Sequence, residues 1–548
     1  MHEITSIQST PVDFASVRRI EGFEHIKGEF PLYLSDESKL SAGTVDYLFF
    51  PSNESELCAV VKEMGQRGIK LTIAGARTGL VGGCVPMQGA LITLEKLNRI
   101  SDIRYHAHAE EWRVQAGCAI SLSELNHCIT TKSFPDLERH AGGAGREALT
   151  RFKQDPATYF YPPDPTETSA SLGGTVATNA SGARTYRYGP TRDWVRRIRV
   201  ILANGEILSI PRGKYFASPS GKFAIYDAKG DVSELKVADY PVPRTKSTSG
   251  LFVSPHMDLI DLFIGSEGTL GIITAVEVGL LTSEPKISIV LFLDSDEQAI
   301  TLAERLRDNR RLKLDLMEFY SQHALDLLRW RKGEEPQTMD MPPIPENAGA
   351  ALFIEMFFDP MDDAPDLDVL KAVVESVGAD LDRSWAGSEP GELKRFRHFR
   401  HMLPETVSAI IASRKKQYPG LHRVSADLAV PDEHLRDMWQ VYRSTLDSSS
   451  LQWLAYGHIG NNHLHVNVLP RNMQELEKAL DLYGHFARQA VGFGGAVSAE
   501  HGIGKIKIKF LRIMYNEEQL SQMLAMKKAL DPGGILSPGN IFACTETR

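Results

Sequence analysis

The chain reads as an α+β protein of more than one domain, and three observations carry that reading. Its 548 residues exceed one ordinary domain of roughly 100–250 residues, so about two to four are expected. From Asp46 the pattern runs YLFFP, SNESELCAVVKEMGQRG and IKLTIAG, which is strand, helix, strand. After about residue 285 strand-like and helix-like segments alternate: ISIVLFLD, EQAITLAERLRD, LKLDLMEFY, ALFIEMFF and DLDVLKAVVESVG.

In the first unit Ser52 or Asn53 can cap the helix, and Leu57, Val60, Val61 and Met64 fall on one helical face. The second strand runs into Gly75-Ala76-Arg77-Thr78-Gly79-Leu80-Val81-Gly82-Gly83. Consecutive N–H groups beside glycines can converge on phosphate oxygens, so this loop has the composition of an anion cradle, although a plain turn has it too. It is neither G-x-G-x-x-G nor G-x-x-x-x-G-K-[ST], which removes the usual support for nicotinamide or nucleoside-triphosphate binding.

Residues 161–204 concentrate small side chains where a core normally places large ones. Gly173, Gly174, Ala177, Ala180, Ser181, Gly182 and Ala183 would let backbone N–H groups and a flat cofactor approach closely. Asn179, Thr185, Arg192 and Asp193 supply polar groups around them, and WVRRIRVIL follows as a strand. Residues 212–250 carry little periodicity and read as an excursion within the same domain. The acidic, proline-bearing stretch 332–349 reads as a solvated loop, with a lid as the other reading.

Net charge of -9 argues against a nucleic-acid partner. The N-terminal stretch lacks the basic start and apolar block of a secretory signal, and no apolar run approaches the ~20 residues of a membrane span. Cys58, Cys84, Cys118, Cys128 and Cys544 contain no C-x-x-C pair. That suits a reducing cytoplasm and leaves no ligand set for an iron–sulfur cluster.

In GHIGNNHLHVNVLP, alternation places His463, His465 and Asn467 on one strand face, and His458 precedes a turn at Gly460, Asn461 and Asn462 that can fold it back. GGAVSAEHGIGKIKIKFL sets Glu500 and His501 between small residues. Two histidines and a carboxylate suit a borderline divalent ion with one position left open.

TIAGARTGLVGGCVP, DPTETSASLGGTVATNASG, YRYGPTRD and LFIGSEGTLGIIT, in that order, resemble the FAD-binding domain of the vanillyl-alcohol oxidase and p-cresol methylhydroxylase type. The resemblance implies a two-part FAD-binding domain. Gly75, Ala76, Arg77, Thr78, Gly79, Gly82 and Gly83 would wrap the pyrophosphate. Pro163, Asp164, Thr168, Gly173, Gly174, Ala177, Asn179, Ser181 and Gly182 would line the cofactor. Glu267, Gly268, Gly271 and Ile272 would close the site. Arg77 stands where the family usually has glycine, and Ala74 where it often has arginine. Residues 70–90 hold no histidine, so the flavin is expected to be non-covalent.

The later segments are similar to the C-terminal half of FAD-dependent D-2-hydroxyacid dehydrogenases, the group with D-lactate, D-2-hydroxyglutarate and glycolate dehydrogenases. The family's H-x-G-D-G-N-x-H appears as His458-Ile-Gly-Asn-Asn-His-Leu-His465, with Asn461, Asn462 and His463 in place of Asp, Gly and Asn. By position the resemblance makes His458, His465 and Glu500 ligands of a divalent metal, zinc first with manganese or iron as alternatives. It makes His501 the base, and LDPGGILSPGNIF would bring Asn540 to the flavin. Substrate carboxylate recognition calls for a guanidinium, and the motif favours Arg400 over Arg395 and Arg397. The D-2-hydroxyglutarate branch carries a lysine where this chain has Ser425, so a D-lactate-like monocarboxylic acid is preferred.

The expected organisation is an N-terminal extension (1–44), an FAD-binding domain (45–285), an α+β substrate or cap domain (286–455), and a C-terminal segment (456–548) that packs back on the flavin. The expected function is oxidation of a D-2-hydroxy acid to the 2-oxo acid, with hydride passing to flavin N5. A flavin oxidase of another alcohol, or a non-catalytic flavin-bearing subunit of a redox complex, are the alternatives. The electron acceptor stays open between a quinone, a cytochrome, an electron-transfer flavoprotein and oxygen. The expected location is the cytoplasm or the periphery of a membrane, and an oligomer is compatible with the sequence.

Overall fold

Three sheets position the site, in a computed structural model that describes residues 2–334, 342–358 and 366–544. The first is four-stranded: β1 (Arg19–Glu21), β2 (Tyr47–Phe49), β3 (Leu71–Ala74) and β4 (Ala90–Thr93), in the order β1-β2-β4-β3. The β2–β4 and β4–β3 pairs are parallel. Helix α1 (Glu54–Gln66) carries the chain from β2 to β3, on either side of β4, and is capped by the Asn53 side chain on the Glu56 N–H at 3.0 Å. Leu57, Val60, Val61 and Met64 are all buried, as the helical period required.

The second sheet is antiparallel, built from β5 (Ile100–His106), β6 (Glu111–Gly117), β7 (Val195–Ile201), β8 (Ile207–Pro211) and β9 (Ile272–Gly279), in the order β8-β7-β9-β6-β5. Helix α2 (Leu172–Ala177) contacts β9 and carries the glycine pair of the small-residue stretch. A Cβ on Gly173 would stand 2.4 Å from Cys118 Cβ, so glycine there is set by close packing rather than by loop freedom.

The third sheet has seven antiparallel strands: β10 (Lys286–Leu293), β11 (Leu314–Tyr320), β12 (Ala350–Phe357), β13 (Trp385–Gly387), β14 (Val424–Ser425), β15 (Trp453–His458) and β16 (His463–Val468). Their order is β13-β10-β12-β11-β15-β16-β14. Alternation explains its two faces. Ile289, Leu291, Leu352, Ile354 and Phe319 pack with α3 (Asp296–Asp308), α5 (Leu367–Ser376) and α7 (Leu435–Asp447), whereas Val290, Phe292, Phe353 and Tyr320 pack with α4 (Gln322–Glu334) and α6 (Pro390–Lys415). The expected division at 455/456 falls inside β15, because β15 and β16 complete the ladder of the preceding unit. Of the acidic stretch at 332–349, residues 335–341 lie outside the described residues.

The segment near residue 540 rejoins the first sheet. Leu71 N–H donates to Ile535 O at 2.7 Å, Ser537 N–H donates to Leu71 O at 2.7 Å, and Leu536 bridges Leu71 in parallel. No helix among the described residues is long and apolar enough to cross a membrane.

Candidate active site

One cavity of about 510 Å³ runs from the 75–83 loop, past α2, to the histidines of β15 and β16. Gly75, Ala76, Arg77, Thr78, Gly79, Gly83, Gly173, Gly174, Ala177, Ser181, Glu267, Gly268, Gly271, Ile272 and Asn540 all line it. The motifs are tied together at one point: Asn540 Nδ2 donates to Gly83 O at 2.9 Å and to Glu267 O at 3.1 Å. Glu267 in turn accepts the N–H groups of Ile503 and Gly504 at 2.6 and 2.7 Å. Burial pushes its carboxyl up to about 7, against the pull of those two donors.

Other expected cofactor residues stand behind the wall. Gly82 turns the loop at φ +73° beside Leu40, and Asn179, at φ +48°, accepts the Arg192 N–H at 3.0 Å. Thr168 O accepts the Ser123 N–H, and a Cβ on Gly182 would strike Asp164 O. Pro163 is buried, and Asp164 faces Arg184 and Arg400 rather than the cavity. Pro165, Thr166 and Glu167 line the cavity in their place. Arg77 adopts φ +61°, the region where the family's glycine would sit, and its guanidinium stacks 4.5 Å over the Tyr33 ring.

At the far end the β15–β16 hairpin brings three histidines up against Glu500. Its turn passes through Asn462 at φ +53°, a conformation that asparagine tolerates well, and this sets His458 opposite His463 and Tyr456 opposite His465. Ligand atoms of His458, His463, His465 and Glu500 all lie within 4.8 Å of one another. The sequence reading assigned His458, His465 and Glu500; His463 joins them in space, completely buried.

These residues suit a divalent cation. His458 Nδ1 is bonded to Glu318 Oε1 at 2.5 Å, which leaves Nε2 facing Glu500 Oε1 at 3.2 Å. A carboxylate on the far nitrogen of an imidazole is the usual support of a metal-ligating histidine. Both nitrogens of His463 are buried without a hydrogen bond; Nε2 lies 3.2 Å from Asp427 Oδ1 but outside bonding direction. Burial pushes His463 down to about 4, and burial with the neighbouring histidines holds His465 well below its usual value, so both are kept neutral as ligation requires. Burial opposes charge on His458 too, but Glu318 and Glu500 outweigh it and raise its pKa. Burial likewise opposes the Glu500 carboxylate, yet Lys246, His458 and His463 hold it well below the usual range.

His501 is organised by a residue that the sequence reading passed over. Asp427 lies 3.3 Å from His501 Nδ1 and accepts the N–H groups of Glu500 and His501 at 3.0 and 3.1 Å, the Ser498 hydroxyl at 2.7 Å and Lys507 Nζ at 2.5 Å. It is fully buried, but His501 and Lys507 keep it ionised. Glu318, Asp427 and Lys246, whose ammonium pairs with Glu500, are the charged residues that reading missed. Two acids inside the otherwise apolar strand LDLMEFY, Asp315 and Glu318, were a readable signal; Lys246 lay in a segment with no pattern to read.

Arg400 and Pro404 sit one helical turn apart on α6 and both line the cavity, with Arg400 Nη1 3.6 Å from Asp164 Oδ2. His401, Tyr320, Tyr456, Arg423 and Ser425 share that end of the wall.

Residues 45–138 and 142–211 match the FAD binding domain family, and residues 282–541 match the family of FAD linked oxidases, C-terminal domain. The chain belongs to the FAD-linked oxidases. This FAD-linked oxidase is 25% identical over 534 residues to the glycolate oxidase subunit GlcD of Bacillus subtilis strain 168, covering 95% of this chain and 94% of the relative. It is 27% identical to a D-lactate dehydrogenase of Anaerostipes hadrus, covering 89% and 88%, and 26% identical to a D-2-hydroxyglutarate dehydrogenase of Xanthomonas citri pv. viticola, covering 90% and 88%. An alkyldihydroxyacetonephosphate synthase structure shares the fold at a TM-score of 0.56 and 15% identity, over 90% of this chain and 76% of that one.

Proposed function

We propose that this flavoprotein oxidises a D-2-hydroxy acid to the 2-oxo acid. The observation that carries the reading is the buried His458, His463, His465 and Glu500 group with His501 beside it, at the end of the cavity that the FAD motifs line. Bound flavin would supply the two-electron sink for the hydrogen leaving C2. A divalent ion held by His458, His465 and Glu500, with His463 at hand, would supply a Lewis acid for the substrate hydroxyl.

The protein's own groups do the rest. His501, held through Nδ1 by Asp427, keeps Nε2 available to take the hydroxyl proton. The imidazolium that forms is stabilised by the same buried carboxylate. Glu318 fixes the ring of His458, and Asp164 steadies the Arg400 guanidinium, which is placed to pair with a substrate carboxylate. Small residues along α2 let the cofactor lie against backbone.

Mixing the oxidised protein anaerobically with matched D- and L-2-hydroxy acids tests the reading. The D acids should bleach the visible flavin band with formation of one 2-oxo acid per flavin, and the L acids should not. Bleaching by neither series, or by simple alcohols alone, would return the chain to the other-alcohol or non-catalytic readings. Stopped-flow reoxidation with a quinone, a cytochrome, an electron-transfer flavoprotein or oxygen then ranks the acceptors.

A further inference from the structure

We infer that Arg423 selects for a second acidic group on the substrate, so that the preferred substrates are 2-hydroxy dicarboxylic acids rather than lactate-like monocarboxylic acids. The inference rests on the hydroxy-acid reading above and names the substrate class of the same site.

Strand register gives the placement. Ser425 pairs with Asn467 across the β14–β16 ladder, and Tyr456 pairs with His465 across β15–β16. Side chains two residues apart share a face, so His465, Asn467, Ser425, Tyr456 and Arg423 stand on one side of the sheet. Arg423 precedes β14 and lies one pleat beyond Ser425, two pleats or roughly 13 Å along the strand direction from His465. His465, Tyr456, Ser425 and Arg423 all line the cavity, as that shared face requires. That register roots the Arg423 side chain farther along the face than His465 and His501, where the substrate hydroxyl would be held. A cation there suits an anion farther along the substrate chain.

Charge balance separates Arg423 from the other cation at this end. Arg400 is already compensated, because Asp164 lies 3.6 Å from it and Glu318 adds a second negative charge; with these the guanidinium stays protonated despite burial. Among the described residues Arg423 forms no ion pair, and its neighbour is the Tyr456 hydroxyl, which carries no charge at neutral pH. The half-buried Arg423 is therefore a guanidinium at the wall of a substrate cavity without a carboxylate of its own. A ligand carboxylate would give it the two-oxygen partner that its planar fork matches. Ser425 carries no charge, and Arg423, on the same face, supplies the cation from a position farther along the strand from the histidines.

The test compares D-2-hydroxy dicarboxylates of four, five and six carbons with D-2-hydroxy monocarboxylates of the same lengths, in wild type and in Arg423→Leu and Arg423→Lys. Wild type should favour the dicarboxylates. In Arg423→Leu the ratio of kcat/KM for dicarboxylate over monocarboxylate should fall about 10–100-fold, the size expected for a charge-assisted pair, mostly through KM. Arg423→Lys should keep a larger part of the ratio than Arg423→Leu, and flavin content should match wild type in both. Titrating the oxidised flavin spectrum with a 2-oxo dicarboxylate should show the same loss of affinity without turnover. D-lactate as the better substrate of wild type, or a selectivity ratio that Arg423→Leu leaves unchanged, would overturn the assignment while leaving the hydroxy-acid reading intact. Failure of every D-2-hydroxy acid to reduce the flavin would overturn both.

Discussion

Replacing Asp427 by asparagine should unfold the active site from behind, and the cost can be worked from its contacts. Oδ1 accepts the Glu500 N–H at 3.0 Å, a bond an amide oxygen can still make. Oδ2 faces the His501 N–H at 3.1 Å, the Ser498 hydroxyl at 2.7 Å and Lys507 Nζ at 2.5 Å. An amide NH2 there would set donor against donor and leave the Lys507 ammonium without its counter-charge. Removing one partner of a buried pair costs about 3–5 kcal/mol, and each orphaned donor about 1–3 kcal/mol, with overlap between them. A loss of about 3–5 kcal/mol is therefore expected in urea unfolding followed by flavin release and tryptophan fluorescence. Adding Lys507→Met removes the stranded charge and keeps an apolar stem, so Asp427→Asn with Lys507→Met should recover at least about 2 kcal/mol relative to the single variant. Wild-type stability in Asp427→Asn, or a double variant as weak as the sum of its parts, would refute the view that the ion pair holds the 498–507 segment in place.

Removing the divalent ion by chelation should leave FAD bound while substrate no longer bleaches it, and a verified metal-free sample that still reduces at the full rate would count against the metal. His465→Ala should reproduce the metal-free state, whereas His501→Ala should keep the metal and lose about 10²–10⁴-fold in the reductive rate constant. Acid or heat should release FAD from the polypeptide, and flavin that stays with the precipitate would disprove non-covalent binding. Burial pushes the Asp296 carboxyl from the usual 3.8 up to about 7. The folded chain thus holds a proton that the unfolded chain has given up, and stability falls as pH rises from about 4 to 7, then levels off. Three pH units correspond to at most about 4 kcal/mol. Asp296→Asn should abolish that fall, so its advantage over wild type should be larger at pH 8 than at pH 5, and equal differences at the two values would rule this out.

Periodicity carried much of the fold in the sequence. The α1 face Leu57, Val60, Val61 and Met64 declares itself because it buries one surface at a fixed repeat, and strands β10 to β12 declare themselves as short apolar runs buried on both faces. The small residues that line the cavity stood out in the sequence, since large side chains would block a close approach to backbone. Partners distant in sequence were not legible. Glu318 meets His458 across 140 positions, Lys246 meets Glu500 across 254, and Asp427 meets His501 across 74, and no local pattern encodes such pairings. His463 was not legible for a related reason: in sequence it stands where an asparagine is expected, and only the hairpin brings it within 3.9 Å of Glu500. The 455/456 division falls inside β15, because strand pairing over long sequence distances leaves no mark at the point where a sheet ends.

The short parallel extension at Leu71, made by residues 535–537, bears on when the cofactor can be taken up. Asn540 closes the ring that joins Gly83 to Glu267, yet it is synthesised some 450 residues after the glycine loop it braces. A ribosome that has translated the chain through β16 still displays an unfinished cavity wall. Completion of that wall is thus deferred to the last stage of synthesis, when Asn540 can bond Gly83 and Glu267.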